Sequence, residues 1–251
     1  IMVSNYKLAL KATLMDEAIT SIPFTRLLII FIPSGILSFL IYSWSLEWKN
    51  SLYALGRMLG QLIIMGYFLS YIFNSNGSLI VLFILISMVL IGSWIALRIL
   101  NEIRINLLKY AIISIAIGGG INLFIVTQLL LQLDPWYKPR FMIPLAGMIF
   151  SSAMNGVSLA AERLQAEIDK GIQYDHAKRA AFRASLIPII NSLFAVGLVS
   201  LPGMMTGQIL SGTSPLTASR YQIMVMCMIF NSVGIASYLF LVLLNPKHIR
   251  K

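Results

Sequence analysis

Long runs without ionised side chains constrain this chain more than any other feature. Seven of them occur: Leu27 to Trp44, Leu52 to Phe73, Leu79 to Leu97, Tyr110 to Leu133, Phe141 to Ala161, Ala184 to Ser200 and Tyr221 to Leu244. A single charge, Arg57, interrupts them. A helix crossing roughly 30 Å of hydrocarbon needs about 20 such residues, because an ionised group there is costly and every backbone polar group must be satisfied within the segment. The sequence therefore predicts an all-α membrane protein of about seven transmembrane helices. An apolar share of 58% against 11% charged residues agrees with that class. The uncharged stretch from Ala184 to Ser219 is too long for one span and holds Pro188, Pro202, Gly203 and Pro215. It reads as one helix followed by an irregular loop.

Cationic loops resist translocation, so Lys and Arg set the orientation. With the N-terminus outside, Lys49, Arg57, Arg98, Arg104, Lys109, Arg163, Lys170, Lys178, Arg179, Arg183, Lys247, Arg250 and Lys251 are cytoplasmic. Lys7, Lys11, Arg26, Lys138, Arg140 and Arg220 are then outside. Thirteen of the 19 cations against six favour the N-terminus out and the C-terminus in the cytoplasm. The net charge of +10 is thus a topology charge that meets anionic inner-leaflet lipid, and nucleic-acid binding is not expected.

Two domains are expected: an N-terminal amphipathic segment over residues 1–23 and a transmembrane domain over 24–251. The first mixes Lys7, Lys11, Asp16 and Glu17 with Leu8, Leu10, Leu14 and Ile19, and lacks the apolar core and cleavage site of a signal peptide. Cys227 is the one cysteine and lies within the last run, which excludes an intrachain disulfide.

Energy-coupling chemistry is missing from the runs. All nine acids and both histidines, His176 and His248, fall in loops or tails, so neither a mid-membrane proton site nor an H-E-x-x-H metal site can be assembled. There is no G-x-x-x-x-G-K-[ST] phosphate loop. The chain is not expected to be an enzyme or to bind a cofactor, and if it pumps, a partner must drive it.

Arg57 and Gln61 share a helix face at i, i+4. Arg57 either snorkels to the cytoplasmic headgroups or faces, with Gln61, a polar substrate path. The G-x-x-x-G spacings Gly56 to Gly60 and Gly203 to Gly207 would permit close helix approach. Glu162 to Arg183 concentrates the charges of the longest cytoplasmic segment. Within it Asp175 is a candidate N-cap for a short cytoplasmic coupling helix between spans five and six, from His176 to about Ile187 and ended by Pro188. Asp175, His176, Lys178, Arg179 and Arg183 make it either a solvated connector or a docking element for a cytoplasmic partner.

Three segments resemble the FetB-type permeases of ABC transporters, the family of bacterial iron-export permeases and plant aluminium-tolerance membrane subunits. They are Gly56-Arg57-Met58-Leu59-Gly60-Gln61-Leu62 running to Tyr71-Ile72-Phe73, Ile143-Pro144-Leu145-Ala146-Gly147-Met148 with Asn155 beyond, and Val196-Gly197-Leu198-Val199-Ser200-Leu201-Pro202-Gly203-Met204-Met205-Thr206-Gly207-Gln208, which continues through Ser214-Pro215-Leu216 to Arg220-Tyr221-Gln222-Ile223. The likeness covers roughly Leu52 to the end of the chain. It implies a permease in the plasma (inner) membrane that pairs with a second copy and with two ATP-binding subunits, which carry the ATP and Mg that this chain does not bind. The segment before the sixth span is where the ATPase would dock. One departure stands there: the family carries a longer loop with an L-G-A-type coupling segment, and Glu167 to Tyr174 is short and lacks it.

The resemblance implies export of iron or another metal ion, driven by ATP through alternating access. The residues themselves leave the cargo open. Ferrous iron favours carboxylate or imidazole ligands, whereas the candidate path offers Arg57, Gln61, Met148, Asn155, Asn191, Met204, Met205 and Gln208. Its metal ligands are unknown, and a chelated metal or a small polar organic solute suits such a path as well. A non-transporting membrane scaffold fits the composition but gives no reason for the Pro202 to Gln208 run.

Overall fold

A computed structural model of the protein describes residues 23–73, 77–100 and 103–244. The amphipathic segment expected over 1–23 lies, apart from Pro23, outside the described residues. Those residues are helical throughout, with no strand among them beyond an isolated bridge between Val196 and Ser200.

The chain divides into two compact units. The first comprises residues up to 75 together with 210–212. It begins with α1 (Phe24–Leu27), a 3-10 turn (Leu28–Ile30) and α2 (Phe31–Ser43), and after a short turn continues as α3 (Trp48–Ile72). Tyr42 and Trp48 meet edge to face across that turn, with ring centroids 5.7 Å apart. Helices α2 and α3 pack on each other, yet nearly all their apolar side chains remain exposed, Tyr67 by 80%. Such all-round apolarity in an unburied helix suits a hydrocarbon surrounding.

The second unit holds α4 (Ser78–Ala96), α5 (Arg104–Phe124), α6 (Pro139–Asp169), α7 (Tyr174–Ala195), α8 (Gly203–Leu210) except its last residue, and α9 (Pro215–Leu243). Helix α5 continues as a π-helical segment, Ile125–Leu130. Helix α6 is the hub, packed against α4, α5, α7 and α9, while α9 also packs on α5 and α7. Water expulsion gives little drive between helices in lipid, so close backbone approach has to come from small residues. Ala111, Ala146, Ala153, Ala160, Ala177, Ala181 and Ala236 are fully buried along these seams. A Cβ added at Gly118 would sit 2.7 Å from the Ala236 nitrogen, and one at Gly156 would sit 2.7 Å from the Ser237 hydroxyl. The expected G-x-x-x-G pairs are not the contact points: a Cβ at Gly56, Gly60, Gly203 or Gly207 would meet nothing within 4 Å.

Several buried polar side chains in this unit are satisfied locally, whereas the Ser237 hydroxyl and Gln222 Oε1 have no hydrogen-bond partner among the described residues. The hydroxyls of Ser93, Ser114, Thr127 and Ser232 donate to the carbonyls of Val89, Tyr110, Leu123 and Met228, and Asn122 Nδ2 donates to Gly118. Each bond lies within one helix, as hydrocarbon surroundings require.

Among the described residues six helical stretches are long and apolar enough to cross a membrane: Thr25–Ser43, Trp48–Ile72, Ser78–Ala96, Arg104–Leu130, Pro139–Asp169 and Pro215–Leu243. The remaining expected span, Ala184 to Ser200, differs from the sequence reading. Its helix begins at Tyr174, carries Asp175, Lys178, Arg179 and Arg183 in its first half, and ends at Ala195. Pro188 does not end it but lies inside it. A proline removes only its own N–H bond, and packing of α7 on α6 and α9 carries the helix through. Asp175 is not the N-cap either: Gln173 takes that position, and Asp175 sits in the first turn, where its charge complements the helix dipole. The coupling segment is therefore no separate helix but the start of α7. The loop expected after it contains α8, which follows Pro202 directly.

Candidate functional site

Helix α6 opens with Pro139, and its first turns bring Arg140, Phe141, Pro144, Leu145 and Met148 onto one face at i, i+4 and i+8. That face forms one wall of a 540 Å³ cavity. Met204 and Gln208, also i and i+4, contribute from α8, and Tyr221 and Met224 from the start of α9. Pro144 has no N–H to return to the Arg140 carbonyl, so one bond of the helical ladder is missing in this wall.

Most of the cavity wall is apolar or thioether. Among the described residues its lining carries one charged side chain, Arg140, which is exposed. The hydroxyls of Thr213 and Tyr221 add polar contacts. Gln208 Oε1 is buried and has no hydrogen-bond partner among the described residues. A buried acceptor without a donor costs about 1–3 kcal/mol, so this oxygen is a ready contact for a ligand donor. No three His, Cys, Asp or Glu residues come together among the described residues in a way that could hold a metal ion.

Of the eight residues expected on a substrate path, Met148, Met204 and Gln208 meet at this cavity. Met205 points to the other side of α8 and lines a 350 Å³ cavity with Gln222, Met226 and Cys227. Asn155 and Asn191 are exposed on α6 and α7 and line neither cavity. Arg57 and Gln61 lie on α3, in the other compact unit, both exposed. Sequence reading missed Arg140, Tyr221 and Met224. Arg140 registered only as an external topology charge, and the i, i+4 relation to Pro144 and Met148 was the signal that could have placed it on the cavity face.

At the far end of α6, about 43 Å away at 1.5 Å per residue, the chain turns sharply into α7. Gly171 takes φ +78°, where a side chain would be strained, and the Ile172 amide donates to the Glu167 carbonyl at 3.1 Å. The buried Glu167 carboxylate pairs with Arg163 at 2.6 Å and lies 3.9 Å from Lys170. The Tyr174 hydroxyl donates to the Leu244 carbonyl at 2.7 Å, tying the start of α7 to the end of α9. Burial first, and the neighbouring Asp175 charge second, push the Tyr174 phenol above its ordinary pKa. From this anchored turn α7 presents His176, Arg179 and Arg183 at spacings of three and four, all exposed, with Asp175 exposed beside them. Lys178 is half-buried and lies 5.4 Å over the Tyr174 ring.

Comparison with known proteins bears on both ends of α6. The profile of the family described as Uncharacterised protein family (UPF0014) matches residues 24–249. A UPF0014 membrane protein of Synechocystis is 39% identical over 71% of this chain and 74% of its own length. The protein named probable iron export permease protein FetB, of Escherichia coli, is 33% identical over 75% of this chain and 77% of its own. Protein ALUMINUM SENSITIVE 3 of Arabidopsis thaliana is 32% identical over 79% and 77%. No solved structure matches the chain significantly.

Proposed function

This chain belongs to the UPF0014 family of multi-pass membrane proteins, and we propose that it is the membrane-spanning permease subunit of an ATP-driven ABC transporter in the plasma membrane. The observation that carries the reading is the division of labour along α6. One end walls a ligand-sized cavity, and the other ends in an anchored turn that displays a basic face. Cavities of about 300–1,000 Å³ are the usual size for small-molecule sites.

Energy must come from elsewhere, since the sequence has no phosphate loop and no acid or histidine in its apolar runs. A cytoplasmic ATP-binding subunit, carrying ATP and Mg, docks on Asp175, His176, Arg179 and Arg183 of α7. Lys178 supports that face from beneath. Two copies of the permease pair, and closure of the two ATPases pushes on the turn at Gly171. The Tyr174 to Leu244 bond passes that push to α9, whose opposite end lines the cavity through Tyr221 and Met224. The cavity then alternates between the two sides of the membrane.

In this arrangement the N-terminus is outside and the C-terminus cytoplasmic, on the side of the α6–α7 turn. The bond between Tyr174 and Leu244 supports a common side for the turn and the end of α9. Helix α7 makes the seventh crossing through its apolar half together with the α8 region.

Export of iron or another metal is the cargo reading that the name of the Escherichia coli relative supports. A small polar organic solute is the second reading, favoured by a cavity lining with a guanidinium and without carboxylate, imidazole or thiol. Co-expression with the ATP-binding subunit tests the architecture. The two should purify as one complex, and a permease that purifies alone under every condition, with no effect on that subunit's ATP hydrolysis, would exclude it.

A further inference from the structure

The geometry points to an organic anion, free or carrying a metal as an anionic chelate, as the species held in the cavity of Arg140, Met148, Met204 and Gln208. This inference rests on the permease reading and narrows its cargo. The planar guanidinium fork of Arg140 matches carboxylate or phosphate oxygens. The lining offers no anionic side chain to neutralise it, so a bare divalent cation entering here would meet repulsion without compensation. Ferrous iron favours carboxylate or imidazole ligands, and this wall has neither: its side-chain oxygens are the neutral ones of Gln208, Thr213 and Tyr221. The volume of 540 Å³ is likewise that of a small organic molecule.

The remaining polar groups specify the ligand further. The unpartnered Gln208 Oε1 accepts a hydrogen bond, and amide and hydroxyl groups at Gln208, Thr213 and Tyr221 can donate or accept. A ligand with one anionic head and at least one hydroxyl satisfies both Arg140 and Gln208. Phe141, Leu145 and Met224 then cover its carbon skeleton. Soft Cu(I) would bind the three thioethers of Met148, Met204 and Met224 instead, ignoring Arg140. The two alternatives therefore depend on different residues.

Equilibrium binding to the full-length protein, in complex with its ATP-binding subunit in neutral-lipid nanodiscs, separates them. The probes are citrate, glucose 1-phosphate, ferric citrate, free ferrous iron and silver(I) as a stable mimic of Cu(I). The inference predicts binding of at least one of the three anionic probes, weakened about tenfold or more by Arg140→Gln and only partly restored by Arg140→Lys, which keeps the charge and loses the fork. Gln208→Leu should weaken the hydroxylated anion by about threefold to tenfold and serves as the second variant if Arg140→Gln fails to fold. Which probe binds assigns the source: citrate or glucose 1-phosphate for a free anion, ferric citrate alone for a chelate. Binding of ferrous iron without any anion, tightened by Arg140→Gln, would overturn the inference. So would silver(I) binding that is lost in Met148→Leu and indifferent to Arg140→Gln, or no anion binding at all. ATP-dependent transport measured on the same complex keeps the readings apart: transport without anion binding sinks only the cargo inference, and anion binding without transport sinks the permease reading.

Discussion

Tyr174 and Leu244, seventy positions apart in the chain, are joined by a hydrogen bond from the phenol hydroxyl to the backbone oxygen at 2.7 Å. The bond fastens the α6–α7 turn to the end of α9. Tyr174→Phe should keep the fold and lower stability by about 1 kcal/mol, read as a drop in the thermal midpoint in detergent. In the transporter it should also reduce coupling, so that ATP hydrolysis continues with less transport. Unaltered coupling at full expression would remove Tyr174 from the transmission path.

The same bond predicts a direction of pH dependence. Burial raises the phenol pKa above its ordinary value of 10.0, so the folded state holds this proton more tightly than the unfolded state. Stability from the group is fully present below the unfolded value and is lost as pH rises through the raised folded value. Wild type should therefore lose stability more steeply than Tyr174→Phe as pH is taken above 10. Parallel curves for the two proteins would contradict this.

Arg179 and Arg183 are exposed on one face of α7. Reversing both charges, Arg179→Glu with Arg183→Glu, removes two weak attractions and substitutes repulsion, and should weaken binding of the ATP-binding subunit about tenfold or more. Pull-down titration of that subunit measures it. An unchanged titration would place the docking surface elsewhere.

Gly118 and Ala236 mark a close approach of α5 to α9. Gly118→Ala places a methyl 2.7 Å from the Ala236 nitrogen and should cost about 1–3 kcal/mol, seen in thermal unfolding. Gly60→Ala meets no neighbour within 4 Å and should be neutral or stabilising by up to about 1 kcal/mol. Equal losses in the two variants would mean that the seam is looser than its geometry.

The long charge-free runs made the helical membrane class legible, since hydrocarbon tolerates little else at that length. The Ala184 to Ser219 region was not legible in the same way. Charge counting saw an uncharged stretch, whereas α7 starts ten residues earlier among its charges and continues through Pro188, packed on α6 and α9. The small-residue seams were equally hidden: Gly56 and Gly60 carry the recognisable spacing, but Gly118, Gly119 and Gly156 make the contacts. At the cavity, Met148, Met204 and Gln208 came from the motif resemblance. Arg140 did not, because a cation near a helix start reads first as a topology signal.

ATP-dependent movement across a sealed bilayer tests the account most directly. Proteoliposomes holding this chain with its ATP-binding subunit should move cargo only with ATP and Mg. Transport that persists without the ATP-binding subunit, or that never responds to ATP in an intact complex, would contradict the central claim.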